Sequence, residues 1–474
     1  MRPVLSVTSE CVPLVKTGGL ADVAGALPGA LAPEGWGLRT LLPGYPAVMK
    51  ALPEAEPVLA ISDLYGGAAT VRFGTLNGLE IYVLDAPHLY ARDGSLYLDA
   101  KGHDFADNDI RFAALGRVAA EIARGAIADW TPELLHCHDW QAGLAPYFLK
   151  SWGVNVPSIL TIHNIAFQGV TPADRMGHLG LNPSEFNSDG FEYWGQISTL
   201  KAGIVYADRI TTVSPTYARE LTTPDFGMGM DGLLRSRANV LSGILNGIDT
   251  GVWNPGTDPE IAAYKGPKGK AKAKKALRKE FGLEKSDGPL AVVISRLSHQ
   301  KGLDLLLDAL PAYLDGGGQL ALLGSGDPGL EAAFHDVASH PNVSVKIGYD
   351  EALSHRMMAG GDAVLVPSRF EPCGLTQLMG LRYGTLPVVA MTGGLVDTVI
   401  NASPMARRAG VATGIQFSPI TAAALGDALG LLLELYADGE AWAKMQKNAM
   451  RQDVGWDAAA AEYAALYQEV ATKA

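Results

Sequence analysis

VLSVTSECVPLVKTGGLADVAGAL, residues 4–27, decides the fold class. An apolar run, VLSVTS, ends in the polar Ser9-Glu10. The chain then turns through Lys16-Thr17-Gly18-Gly19 into an alanine-rich helical stretch. The same order recurs. EIYVLDA, ELLHCHD, SILTIHN and RITTVS in the first half, and AVVISR, QLALLG, DAVLVPS and LPVVAM in the second, are short apolar runs ending in glycine or polar turns. Nearly continuous apolar strands alternating with helices imply parallel sheets covered on both faces. Two such series imply an α/β chain of two Rossmann-like domains. The turn itself also recurs: MTGGLVDTVI (391–400) repeats Thr-Gly-Gly-Leu-x-Asp 375 residues after KTGGLADVAG (16–25), with Met391 in the place of Lys16.

The bulk properties agree. At 474 residues the chain is too long for one ordinary core, and about two domains is the natural expectation. Hydrophobic residues make up 48% and charged residues 19%, which suits a packed globule and excludes global disorder. A net charge of −12 argues against nucleic acid as a partner, while an anionic small substrate needs only a locally positive pocket. Cys11, Cys137 and Cys373 are few, odd in number and far apart, so neither a disulfide framework nor a zinc cluster is indicated. This points to a reducing compartment. MRPVLSVTSE reaches Glu10 too soon for a signal-peptide core, and no apolar run is long enough to span a membrane. A cytoplasmic enzyme is expected.

The expected organisation is a first domain over 1–252, a connector over 253–280, a second domain over 281–456 and a final amphipathic helix over 457–474. Tyr463, Leu466, Tyr467 and Val470 give that helix its apolar face, and it is expected to pack back on the first domain. Seven lysines and one arginine crowd into Lys265–Phe281, which reads as a solvated connector running into an exposed helix.

In open parallel sheets, ligands sit beyond the carboxyl ends of the strands. The loops there are rich in polar groups. Asp139 and Trp140 follow ELLHC and His138, His163 and Asn164 follow SILTI, Arg296 and Lys301 follow VVIS, and Arg369 to Gly374 follow VLVPS. Each has a plain structural reading: a hydrogen-bonded histidine at 163, a helix cap at Asp139, surface charges at Arg296 and Lys301. Neither glycine turn matches G-x-G-x-x-G or the P-loop. Taken together, one arginine, two lysines and helix amino termini suit a diphosphate. With no carboxylate cluster for magnesium, side chains would neutralise the leaving group. That describes a transferase with a nucleotide-diphosphate donor.

With SVTSECVPLVKTGGLADVAGALP, HCHDWQAG, TIHNIAFQG, GILNGID, ISRLSHQKG, IGYDE, PSRFEPCGLTQL and TGGLVDTV assembled, the chain resembles the bacterial glycogen synthases of the starch synthase family. The resemblance covers nearly the whole length. It implies the glycosyltransferase B fold, with two Rossmann-like domains facing a deep interdomain cleft, and no metal or other cofactor. The implied reaction is transfer of glucose from ADP-glucose to the non-reducing-end 4-hydroxyl of an α-1,4-glucan with retention, so the implied partners are ADP-glucose, ADP and glucan. By the same resemblance, Arg296 and Lys301 hold the diphosphate. Gly18, Gly374, Leu375 and Thr376 approach the same phosphates, and Lys16 adds charge. Gly348 and Tyr349 sit at the adenine and Asp22 at the ribose. Glu371, Cys373, His163 and Asn246 surround the transferred glucose, with Glu371 stabilising oxocarbenium-like charge, and Asp139 acts at the acceptor or orders the site. Cys373 reads as a small residue against the sugar.

The segment His88–Phe112, with Tyr90, Tyr97, His103, Asp107, Asn108 and Arg111, reads either as a glucan-binding surface or as an ordinary loop entering a helix. There are departures. Met379 stands where related glycosyltransferase B families often carry a second glutamate, and Met391 where arginine is expected. The alternatives are a retaining glycosyltransferase using a small acceptor or UDP-glucose, a Rossmann oxidoreductase or epimerase, and a non-catalytic glucan-binding protein.

Overall fold

The computed structural model describes residues 1–473, with side chains through Thr472, as two compact units. Unit 1 comprises Met1–Ile244 and the chain from Trp456 onward; unit 2 comprises Leu245–Gly455.

In unit 1 the strands are β1 (Arg2–Val7), β2 (Trp36–Pro43), β3 (Glu56–Ile61), β4 (Ala69–Leu76), β5 (Leu79–Asp85), β6 (Leu134–His138), β7 (Ser158–Ile162), β8 (Val170–Pro172), β9 (Glu192–Tyr193), β10 (Gln196–Ser198), β11 (Arg209–Thr212) and β12 (Leu241–Gly243). Nine of them form one sheet in the order β12-β11-β7-β6-β1-β2-β5-β4-β3, and β8-β10-β9 form a small second sheet. The pairs from β12 through β5 are parallel. Every residue of β6 and β7 is buried, as strands covered on both faces must be. The edge departs from the parallel reading, because β3, β4 and β5 form an antiparallel meander. Its tight turn is Asn77-Gly78, with φ of 49° and 83°, the residue types that a two-residue hairpin favours.

Unit 2 carries β13 (Leu290–Ile294), β14 (Gln319–Gly324), β15 (Val343–Ile347), β16 (Ala363–Val366), β17 (Leu386–Ala390) and β18 (Ile415–Phe417) in one parallel sheet, ordered β15-β14-β13-β16-β17-β18. Each large sheet has one point where the chain reverses direction across it: β1 beside β6 in unit 1, and β13 beside β16 in unit 2. At such a switch point the loops from adjacent strands diverge and leave a crevice.

The helix Asp457–Lys473 packs on unit 1. Tyr463, Leu466, Tyr467 and Val470 are buried against Val23, Leu27 and Leu31 of the first helix and against Trp36. The segment 253–280 lies within unit 2 and contributes to its core through Trp253, Tyr264, Ala273 and Leu277. Its lysine-rich helix, Lys270–Phe281, is therefore packed along one face and does not run free in solvent. Ala273, Leu277 and Phe281 recur at four-residue spacing, which sets that face. Lys270 is itself buried, and its ammonium donates to the carbonyls of Met358, Ala359 and Tyr383 and to Thr385 Oγ1. Burial pushes this amine down to about 7, with Asp362 pulling the other way. The four oxygen acceptors also favour the ammonium. Beside it, Lys274 meets Asp362 at 2.6 Å. Lys270→Met removes a donor from four buried oxygens, of which Met358 O and Tyr383 O keep another from Thr385 Oγ1 and Tyr264 OH. It should lower unfolding stability by about 3 kcal/mol, read as a shifted denaturant midpoint.

Candidate active site

Unit 2 brings two loops together at its switch point. After β13 the chain makes a short turn, His299–Lys301, that ends at Gly302 with φ +64°. A Cβ at Gly302 would lie 2.0 Å from Pro367 O, so only glycine lets this turn close on the loop after β16. Lys301 Nζ donates to Glu371 Oε2 at 2.6 Å, and Ser368 Oγ donates to the same oxygen at 2.8 Å. Side-chain exposure is only 18% for Lys301 and 9% for Glu371, so the pair is largely out of water.

The two loops are tied beyond this pair. The Arg369 N–H donates to Gln300 O, and Gln300 Nε2 donates to Phe370 O. The Arg369 guanidinium donates to His299 O and grips both oxygens of Asp304, at 2.7 and 2.6 Å. Such a two-pronged grip fixes geometry in a way a lysine cannot. Arg296 is exposed and has no ion-pair partner among the described residues.

The second glycine turn buttresses the Glu371 loop from behind. Gly394 N–H donates to the carbonyls of Glu371 and Pro372, each at 3.1 Å. A Cβ at Gly393 would lie 1.9 Å from Glu371 O, and one at Gly394 would lie 2.6 Å from Cys373 Cα. Met391, just before this turn, is exposed. Cys373 is buried and receives the Asn246 N–H, and burial pushes its thiol up to about 12. It is a protonated thiol at neutral pH. Gly374 (φ +73°) and Leu375 lead into the helix Thr376–Tyr383. Three buried polar atoms here lack partners: Asn246 Oδ1, Ser298 Oγ and Gln377 Oε1. Buried oxygens are normally satisfied, and these three have no partner within the protein. Gly348 and Tyr349 follow β15, two strands away from β13 on the sheet edge; Tyr349 is exposed and its hydroxyl donates to Glu351.

In unit 1, Glu10 organises the loop after β1. Its buried carboxylate accepts from Thr17 N–H (2.6 Å), Thr17 Oγ1, Gly18 N–H (3.2 Å) and Tyr97 OH (2.6 Å). Gly18, the residue before the helix Gly19–Leu31, thus already donates its N–H to the protein's own carboxylate. Lys16 and Asp22 pair with each other at 2.8 Å.

After β6, Asp139 turns the chain with φ +54° and accepts from the N–H groups of His163 (2.6 Å) and Asn164 (3.4 Å). Burial raises its carboxyl to about 7, with the Glu10 charge adding to the rise and the two N–H donors opposing it. The His163 ring meets His138 at 3.0 Å, and His138 meets Ser6 Oγ at 3.2 Å. His136 lies 4.2 Å from His138, ring to ring, and bonds Thr161 and Tyr467. Burial lowers all three imidazoles, His136 and His163 to about 3, so the cluster is neutral at pH 7.

The structure thus gathers Lys301, Glu371, Cys373, Asn246, Gly374, Leu375 and Thr376 in unit 2. In unit 1 it gathers Lys16, Gly18 and Asp22 around one turn and Asp139 with His163 around another. Sequence reasoning left out Glu10, His138, Ser368 and Arg369 as site residues. Glu10 and Arg369 stand in the right loops, but nothing local shows that their charges are turned inward. Of the 88–112 segment, Tyr90 and Arg111 are buried supports: Tyr90 OH donates to Arg111 O, and the Arg111 guanidinium donates to Leu89 O, Leu96 O and Asn108 Oδ1. Asp107 is paired with Arg92, and a helix begins at Asn108. Tyr97 reaches Glu10, and His103 stays exposed.

Residues 3–236 match the starch synthase catalytic domain family, and residues 274–452 match the glycosyl transferases group 1 family. The glycogen synthase of Paracoccus denitrificans is 60% identical over 99% of this chain and 100% of its own length. The glycogen synthase of Jannaschia sp. (strain CCS1) is 60% identical over all of both chains. The chain belongs to the glycogen synthase family. It is a hexosyltransferase of the glycosyltransferase B fold. The catalytic domain of starch synthase IV from Arabidopsis thaliana, bound to ADP and acarbose, superposes with a TM-score of 0.88 at 31% identity, covering 99% of each chain. A sucrose-phosphate synthase from Thermosynechococcus elongatus, at 18% identity and TM-score 0.62 over all of both chains, shares the fold alone.

Two measurements probe the loops. Arg369→Lys cannot reproduce the grip on Asp304, so turnover should fall roughly 10–100-fold, measured as kcat, with the fold retained by circular dichroism. Asp139 has a folded pKa above its unfolded value, so the native state binds the extra proton between about pH 4 and 7 and loses stability as pH rises through that window. Between pH 5 and 8 the wild type should lose about 2 kcal/mol relative to Asp139→Asn, followed by denaturant titration at each pH.

Proposed function

We propose that this chain transfers glucose from ADP-glucose to the non-reducing-end 4-hydroxyl of an α-1,4-glucan with retention of configuration, as a glycogen synthase. The observation that carries the reading is the set of buried, unpartnered oxygens Asn246 Oδ1, Gln377 Oε1 and Ser298 Oγ beside the Lys301–Glu371 pair. Acceptor atoms with nothing to accept from suit a ligand rich in O–H donors, and a sugar is such a ligand. The names of the relatives, and the ADP and acarbose bound by the Arabidopsis starch synthase, support the same reading.

In this reading unit 2 binds the donor. Arg296, exposed and unpaired, and Lys301, whose ammonium has donors to spare beyond Glu371, offset the charge of the departing diphosphate. Donors of this kind commonly contribute roughly 10²–10³ in rate each. Glu371 accepts from glucose hydroxyls and faces the positive charge that develops at the anomeric carbon. Its salt bridge to Lys301 and its bond from Ser368 weaken it as a nucleophile, which favours front-face substitution over a covalent intermediate. Gly348 and Tyr349 receive the adenine at the sheet edge. In unit 1, Asp139 acts at the acceptor by ordering the backbone at His163, Lys16 adds charge for the phosphates and Asp22 approaches the ribose. Arg and Lys carry the charge without a metal. The three cysteines are free and buried, which fits a cytoplasmic setting.

Labelled-glucose transfer onto glycogen tests the reading directly. ADP-glucose should be used well in excess of UDP-glucose, EDTA should not reduce the rate, and Glu371→Gln should lower kcat at least roughly 100-fold. Transfer to a small acceptor with none to glycogen, or a clear preference for UDP-glucose, would establish the alternative glycosyltransferase instead.

A further inference from the structure

Trp194 is the only exposed tryptophan among the described residues, with 81% of its surface open. It also sits where a tryptophan is costly. β9 and β10 pair Tyr193 with Gln196, which leaves Trp194-Gly195 as a two-residue turn with φ of 51° and 77°. The turn between β4 and β5 has the same backbone, φ 49° and 83°, and there the chain uses Asn77-Gly78. Asparagine tolerates left-handed backbone, whereas a bulky ring there is strained by about 1 kcal/mol. Nor does burial offset the strain, since the ring lies in water.

The ring is not alone. Phe167 is 54% exposed, and Val170 and Met228 are also exposed. The patch is built on ordered backbone. Tyr193 OH and Gln168 Nε2 both donate to Met228 O, at 2.7 and 3.0 Å, and β8 pairs with β10. Gly229 lies beneath Trp194, where a Cβ would come 3.6 Å from its ring nitrogen. An exposed apolar patch on rigid backbone marks a binding surface.

We propose that Trp194, with Phe167 and Met228, forms a platform for the α-1,4-glucan chain as it leaves the acceptor end of unit 1; this rests on the reading of the acceptor given above. The flat C–H faces of pyranose rings suit aromatic faces, and Gln168 and Gln196 at the rim suit sugar hydroxyls. Charge narrows the occupant. No exposed lysine or arginine belongs to the patch, and Glu192 and Asp189 stand beside it with Lys201 buried against the carbonyls of Ser188 and Glu192, so an anionic lipid or nucleic acid is disfavoured. Chain continuity narrows it further. The loop bearing Phe167 and Gln168 begins at His163, and Phe167 N–H donates to Asn164 O. Gly169 packs against the ring of Trp140, the neighbour of Asp139. The platform is thus fixed to the turn that carries Asp139, assigned to the acceptor, and to the loop that starts at His163.

The decisive variant is Trp194→Asn, which gives the turn the residue it favours. Its melting temperature should be equal to or above that of the wild type. Its retardation in a native gel containing glycogen should weaken, with the apparent Kd rising roughly five- to tenfold. In transfer assays KM should rise more for glycogen than for maltotriose. Phe167→Ala should act in the same direction, and Trp194→Phe should restore most of the binding. Unchanged retardation of Trp194→Asn would overturn the proposal, as would a dimer in sedimentation that this variant dissociates. Retardation needs no catalysis, so a full-length chain that transferred no glucose would sink the functional reading while leaving this test intact.

Discussion

Lys301 and Glu371 meet at 2.6 Å with little water around either, and unit 2 is arranged to make that tolerable. A buried ion pair loses hydration worth several kcal/mol per ion, and the mutual attraction offsets this only when the geometry is held and the other donors are met. The loops supply both conditions. Ser368 adds a second donor to the carboxylate, Arg369 locks the two loops through Asp304, His299 and Gln300, and Gly394 holds the carbonyls of Glu371 and Pro372. In the same unit Asn246 Oδ1, Gln377 Oε1 and Ser298 Oγ stay buried without a partner in the protein.

Unit 1 solves a different problem with the same material. Its buried groups are kept neutral where possible: three imidazoles stripped of charge by burial, and Asp139 raised to about 7. Only Glu10 stands as a buried carboxylate with a full complement of donors, and its partners are the turn that carries Lys16 and Gly18. The two units thus differ in where they place charge: unit 1 buries neutral imidazoles around β6 and β7, and unit 2 buries an ion pair between the loops after β13 and β16.

The strand ends were legible because parallel strands are apolar throughout and announce themselves by the polar residue that stops them. That is how the loops carrying Lys301, Glu371, Asp139 and His163 could be placed at strand ends without any contact being known. The β3–β5 meander was missed although Asn77-Gly78 signals a hairpin, because an expectation of parallel strands gives no place to one. The lysine-rich helix was misjudged for a related reason. Ala273, Leu277 and Phe281 show a packed face, but no local pattern reveals that Lys270 meets carbonyls some ninety residues away. Arg369 and Glu10 stood among the polar strand-end residues but carried no role on the same ground: a charged residue in a loop is ordinarily solvated, and only tertiary geometry turns it inward.

The twin Thr-Gly-Gly-Leu turns each lead from a strand end into a helix, the first after β1 at the switch point of its sheet and the second after β17, one strand beyond β16. Each turn brings backbone against a carboxylate-bearing segment. At Gly18 the N–H reaches the side chain of Glu10; at Gly394 it reaches the main chain of Glu371 and Pro372. In the second copy a side chain at either glycine would collide with the loop it supports, so glycine is required by contact. At Gly18 a Cβ would meet nothing, so the first copy is under no such constraint from the protein itself. Space is open beside the extended Gly18, whereas the second turn is already filled by its own protein. The difference between the copies therefore goes deeper than lysine against methionine: the first turn is held by the side chain of Glu10 with space open beside Gly18, and the second is a strut behind Glu371.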